Sequence, residues 1–234
     1  NKQMNKEALR FVHPDAKIGK DVTIEPFATI YGDVEIGDGT WIGPNVVIMD
    51  GARIGKNCKI YPGAVISAAS QDLKYKGEYT TTHIGDNTVV RECVTIHKGT
   101  ADREKTVVGD NCLLMAYVHI AHDCIVGNNV IIANSTQLAG HIVVGDNVVI
   151  EGMVGVQQFV NIGDHAFVAG STNVRKNIPP YTLNIYSIKE TFINFSRILY
   201  AMDQLSCKRC GTIYTVEGIL PTVLQCTCTS MQFK

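Results

Sequence analysis

No stretch of this 234-residue chain stays apolar for the about 18 residues that a membrane-spanning helix requires. A helical crossing of a bilayer is therefore not expected. Charge of either sign is also lacking in excess, because 21 Lys and Arg face 22 Asp and Glu for a net charge of −1. Surfaces that bind nucleic acid are markedly basic, so that class of partner is not expected either. The N-terminal stretch NKQMNKEALRF has no apolar core of the signal-peptide kind, and the expected compartment is the cytoplasm. There is no bias toward disorder, since 45% of the residues are apolar and 18% charged.

What the chain does have is a period. Every sixth residue from Val108 to Val174 is Val, Leu, Ile, Val, Ile, Leu, Val, Ile, Val, Ile, Val, Val, and all twelve are aliphatic. The same phase holds earlier, in the isoleucines 18, 24, 30, 36, 42, 48, 54, 60 and 66, and continues through Ile84, Val90 and Ile96. A helix repeats at 3.6 and a strand at 2, so neither places apolar side chains at strict sixes. A chain that turns a corner about every six residues does, with one aliphatic pointing inward from each flat side. Three sides give a triangular coil of about 18 residues, stacked at the strand spacing of roughly 4.8 Å. The expected fold is an all-β solenoid. Glycine followed by Asp, Lys or Asn recurs after the inward residue, as in Val144-Gly-Asp, and both Gly and Asn tolerate the backbone angles of tight corners.

Two segments break the pattern. Residues 67–83 put Asp72 and Glu78 at inward positions, and residues 97–107 put Asp102 there. Unpaired charges do not enter such a core, so both segments are expected to leave it as loops. The eight cysteines divide into two sets. Cys58, Cys112 and Cys124 occupy a slot held elsewhere by Val22, Ala28, Val34, Ala52 and Ala64, and are expected to fill the core. Cys207, Cys210, Cys226 and Cys228 lie in the tail, where they are either four ligands of a structural zinc or free thiols. The solenoid is expected to end near Val174, with Asn177 to Tyr181 as its exit. A capping box at Ser187 to Glu190 then opens a helix, carried by Ile188, Phe192, Phe195, Leu199, Met202 and Leu205 and ending near Cys207. The domains expected are a β-helix over 1–181 and a helical, cysteine-bearing segment over 182–234.

A hydrophobic solenoid has no need of His119, His122 and His141. His122, Gly140 and Gln158 are 18 apart and should form one column up the outside of the prism. A histidine beside Asp123 can be held in one tautomer as a general base, with its side chain expected to face outward. A glycine above it offers an N–H to a developing oxyanion. Together these suit acyl transfer from a thioester to a hydroxyl. A zinc site built from His97, His119 and His122 is an alternative, but the histidine spacing fits known solenoid zinc enzymes poorly.

Gln71 to Glu78 (QDLKYKGE), Val94 to Thr100 (VTIHKGT), His119 to Cys124 (HIAHDC), Leu138 to His141 (LAGH) and Pro179-Pro-Tyr181 carry a resemblance. The chain resembles, over about residues 10–181, the acyl-carrier-protein–UDP-N-acetylglucosamine O-acyltransferases of lipid A synthesis. The resemblance implies a homotrimer of left-handed parallel β-helices of hexapeptide repeats, with sites between subunits and no cofactor. It implies His122 as base for the sugar 3-hydroxyl, Asp123 as its orienter and Gly140 as oxyanion donor. Asp72, Lys74, His119, His141 and Gln158, with His97 a lesser member of the group, would hold sugar nucleotide or acyl donor, and Gly170 would leave room for a long 3-hydroxyacyl chain. Two departures stand out: Gln157 replaces a histidine of many relatives, and the family's nucleotide- and carrier-binding segments after Tyr181 are missing. The alternative is a trimeric scaffold or metal-binding module whose altered C-terminus has lost nucleotide binding.

Overall fold

A computed structural model describes residues 9–184 and three short strands, Gln204–Cys207, Ile213–Thr215 and Met231–Phe233. Residues 9–184 form a left-handed parallel β-helix whose walls are parallel sheets of nine, eight and nine strands. The first wall runs from Phe11–Val12 through His119–Ile120 and Gln137–Leu138 to Asn173–Val174. The second runs from Lys17–Ile18 to Asn161–Ile162, and the third from Thr23–Ile24 to Leu183–Asn184. Neighbouring strands of a wall are usually 18 residues apart, as in Ile120↔Leu138 and Leu138↔Val156. The inward aliphatics are buried as expected, with Ile30, Leu114, Ile132 and Ile150 fully so. Ile18 is the exception at 36% exposed, because its strand is the edge of its sheet. Cys58, Cys112 and Cys124 fill the core.

The corners work differently from the expectation for glycine. Asn57, Asn87, Asn111, Asn129 and Asn147 adopt the left-handed conformation, φ 53 to 57°. Gly145, by contrast, is needed for closeness: a Cβ there would lie 2.7 Å from the Asp164 backbone nitrogen of the next coil. The following Asp or Asn then ties coils together. Asp146 Oδ1 accepts the Asn128 N–H at 2.6 Å, and Asp164 Oδ1 accepts that of Asp146 at 2.9 Å.

Both expected loops leave the wall, though more narrowly than predicted. Strands Val65–Ala68 and Thr81–Ile84 bracket the first, and Thr95–His97 and Lys105–Val108 the second. Partners Ile66↔Ile96 are 30 positions apart and Ile96↔Ile120 are 24 apart, so the insertions are of 12 and 6 residues. The phase of six survives both. The expected exit at 177–181 is corrected: Ile178 bridges Ile162, and Leu183–Asn184 pairs with Phe167–Val168, so the coil continues. Pro179 and Pro180 are tolerated because they sit at a corner rather than in a ladder. The expected helix over 187–203 lies outside the described residues. Its last residues, Gln204–Cys207, are a strand instead, paired antiparallel on both sides with Ile213–Thr215 and Met231–Phe233. Cys210, Cys226 and Cys228, and the side chain of Cys207, also lie outside the described part.

Threonines inside the prism complete hydrogen bonds that strands of two residues leave open. Thr136, fully buried, donates to the Glu151 carbonyl at 2.8 Å and accepts the Val154 N–H at 3.2 Å. Thr136→Val keeps the shape but strands both groups, so it should lower the unfolding free energy by about 1–3 kcal/mol. Chemical denaturation at fixed protein concentration measures this, and an unchanged midpoint would exclude the role.

Candidate active site

The chain turns from the first wall to the second through Asp123, His141 and Phe159, one per coil. All three are left-handed, φ 59, 63 and 66°, where a bulky residue such as Phe is unusual. His122 precedes the first of them and lays its ring on Gly140 of the next coil. A Cβ on Gly140 would lie 2.5 Å from His122 Nε2, so no larger residue fits. The Gly140 N–H has no partner among the described residues. The expected column of His122 and Gly140 is therefore present, and Gln158 stands exposed one coil further on.

His122 does not face solvent as expected. It is 3% exposed, because the loops 69–80 and 98–104 fold over the corner. Its Nδ1 lies 2.8 Å from Asp123 Oδ2, which directs Nε2 toward Asp72 Oδ2 at 3.8 Å. His141 meets the His122 ring edge-on at 5.0 Å and stacks on Phe159 at 4.6 Å. A cavity of about 320 Å³ opens here, lined by Asp72, Lys74, Glu78, Thr100, Asp102 and His141 among others.

Asp123 is a fully buried carboxylate, which is costly unless it is well bonded. Besides His122 it accepts the Thr100 hydroxyl at 2.6 Å and the Thr100 N–H at 2.9 Å, with the Arg103 N–H at 3.3 Å. Burial alone would raise its pKa, but the hydrogen bonds from the Thr100 hydroxyl and from His122 outweigh it and hold the carboxyl below its ordinary value. A charged Asp123 keeps the proton on His122 Nδ1 and the lone pair on Nε2. Thr100 enters the sequence reading only as the end of the VTIHKGT motif and Arg103 not at all; the fold of the second loop brings both to Asp123.

A second histidine pair lies beside the first. His97 and His119 meet edge-on at 4.7 Å, and His119 Nδ1 bonds Thr95 Oγ1 at 2.7 Å. Burial, then the nearby His119 and His122, pushes His97 down to about 4, and burial lowers His119 as well. His97, His119 and His122 do not form a three-ligand cluster. Among the described residues the His, Cys, Asp and Glu group that could hold a metal is Asp72, His122 and His141. His119 also lines a larger, open groove of about 670 Å³ along the first wall, with Gln137, Gly155, Asn173 and Arg175. The smaller cavity is lined by Asp72 and His141, both of which approach the buried His122 ring. Gly170 is elsewhere, at the corner between third and first walls, with its N–H on Glu151 Oε2 at 2.9 Å. One chain does not bring it to His122.

Known proteins resemble this chain in sequence and fold. The family model described as bacterial transferase hexapeptide (six repeats) matches residues 15–40, 33–68 and 105–140. An acyl-[acyl-carrier-protein]–UDP-N-acetylglucosamine O-acyltransferase of Chlorobaculum tepidum is 61% identical over 26% of this chain and 23% of its own length. The enzyme of that name from Chlorobium phaeobacteroides is 60% identical over 50% of this chain and 44% of its own length. The chain thus matches less than half of these relatives. The crystal structure of a UDP-N-acetylglucosamine acyltransferase from Bacteroides fragilis superposes with a TM-score of 0.73. It is 48% identical, over 74% of this chain and 68% of that one. With that identity across two thirds of a solved relative, the chain belongs to the UDP-N-acetylglucosamine O-acyltransferase family of hexapeptide-repeat β-helices.

Proposed function

We propose that the chain transfers a 3-hydroxyacyl group from acyl carrier protein to the 3-hydroxyl of UDP-N-acetylglucosamine, the first step of lipid A synthesis, in the cytoplasm. The observation that carries this is the His122 ring held between the Asp123 carboxylate and the unpaired N–H of Gly140. The names of the relatives supply the substrates. His122 Nε2 takes the proton of the sugar hydroxyl as its oxygen attacks the thioester carbonyl. Asp123 steadies the imidazolium that forms, and the Gly140 N–H donates to the oxyanion. Collapse of the tetrahedral intermediate expels the carrier thiolate, which recovers the proton from His122. The sequence of steps uses no cofactor.

Asp72, Lys74, His141, His119 and Gln158 are assigned to holding the sugar nucleotide and acyl donor, with His97 behind His119. Asp72 and Lys74 are coupled within one turn, since Asp72 Oδ1 accepts the Lys74 N–H at 2.9 Å. Gly170 leaves space for the acyl chain. It shares no corner with His122, so the complete site needs a second copy of the chain, and a homotrimer is the assembly proposed. Residues through Asn184 would then form the acyltransferase unit, and the remainder a separate segment.

His122→Ala should lower turnover by about 10²–10⁴-fold, the usual share of general-base catalysis. His122→Gln, which fills more of the buried space, should lose a comparable amount. Mass spectrometry of acylated sugar nucleotide is the readout, with melting temperature and assembly unchanged; near-wild-type transfer by both variants would remove His122 as base. Wild-type protein with no transfer would instead favour the scaffold alternative.

Light scattering at micromolar concentration should return three times the chain mass of 25.6 kDa. A monomer would sink the shared site. His97 stays neutral down to about pH 4, so it cannot supply an acid limb near neutrality. His97→Asn should leave the midpoint of that limb in kcat/KM in place, whereas a move of about one unit would show that His97 titrates in the reaction.

A further inference from the structure

We propose that Asp72, His122 and His141 form a transition-metal site of the zinc class, and that an ion bound there switches the enzyme off by occupying the nitrogen the base needs. One ligand atom from each residue lies within 4.8 Å of the others. Asp72 Oδ2 and His122 Nε2 are 3.8 Å apart. Zinc bonds of about 2.0–2.1 Å require tetrahedral ligands roughly 3.3 Å apart, so separations that lie within 4.8 Å must contract by up to about 1.5 Å for the group to close on an ion. Two imidazoles and one carboxylate form a borderline nitrogen and oxygen set. It suits zinc and its neighbours and is poor for magnesium or calcium, which take oxygen ligands.

Two further observations point to a ligand. The bond from His122 Nδ1 to the Asp123 carboxylate is the outer contact that metal-binding histidines almost always make, and it leaves Nε2 as the free donor. His141 is 8% exposed, and its Nδ1 is buried without a hydrogen-bond partner. The Asp102 carboxylate comes to 3.2 Å of that nitrogen without hydrogen-bond geometry. The unbonded nitrogen and the preset tautomer both suit an ion held here, with Asp102 within reach as an outer partner of His141. Lys74 lines the same cavity and opposes binding by its charge, while Glu78 and Asp102 line it too and favour it.

Binding stands independently of the acyltransferase reading, and only the inhibition rests on it. The test titrates zinc sulfate against the full chain with a competing chromogenic chelator. A variant with Cys207, Cys210, Cys226 and Cys228 all changed to serine separates the tail from this site. That variant should still bind one zinc, as one cluster predicts. Asp72→Asn and His141→Gln, placed in it one at a time, should each weaken binding at least tenfold. The two substitutions lie on different elements, so a folding failure of one leaves the other decisive. Cobalt in place of zinc should show the visible bands of nitrogen and oxygen ligation without thiolate charge transfer. No zinc bound by the four-serine protein, or equal affinity in both ligand variants, would overturn the site. In the transfer assay, zinc should inhibit reversibly and a chelator should restore the rate. Zinc that binds at these residues without inhibiting would overturn the switch and, with it, the role of His122 as base.

Discussion

One aliphatic side chain pointing inward at every sixth residue is the constraint on which the rest depends. The coil is only wide enough for these residues and the small side chains beside them, so each flat side is reduced to a strand of two or so residues. Such strands do not stand alone. They persist because all but the end strands are paired on both sides within a wall, and because the inward aliphatics of successive coils stack into one continuous core. The corners follow from this economy. Every few residues the backbone must enter the left-handed region, and Asn is the most frequent occupant among the described residues. Gly145 and the Asp and Asn ladder then let adjacent coils approach and lock.

The candidate site is where that economy is spent differently. At the corner of Asp123, His141 and Phe159 the left-handed positions hold polar and aromatic side chains that turn toward one another. A buried carboxylate stands next to an aliphatic core. It is tolerated because the second loop turns the Thr100 N–H and hydroxyl and the Arg103 N–H onto it. The cage fixes its charge, and the charge fixes the histidine. Preorganisation here belongs to the loop as much as to the corner.

This division explains how much could be read from the sequence. The period reveals itself because the wall repeats, so the inward residues, the core cysteines and the column of His122 and Gly140 were all legible. Asp72, Glu78 and Asp102 announced the loops by being charged where the wall needs aliphatics. The course of those loops was not legible, since no repeat governs residues 69–80 or 98–104. Hence the burial of His122, the part of Thr100 and the stacking of Phe159 on His141 emerge only in three dimensions. The continued coil at Leu183–Asn184 was missed for a related reason: two prolines read as an ending when the only question was whether they fell at a corner. In the tail, helical spacing gave no warning that Gln204–Cys207 would pair as a strand, because antiparallel partners override local pattern.

The two inserted loops, of 12 and 6 residues, are whole multiples of the side length. Seen as engineering, the β-helix is a rail with fittings. A fitting of any other length would either rotate the downstream wall or need a compensating slack in its own path, while these leave every later residue at the corner it would have occupied without them. The rail can therefore be lengthened or shortened by coils, and its fittings exchanged, with the two kinds of change kept apart. Chemistry enters this architecture as an accessory to a structure that is already complete.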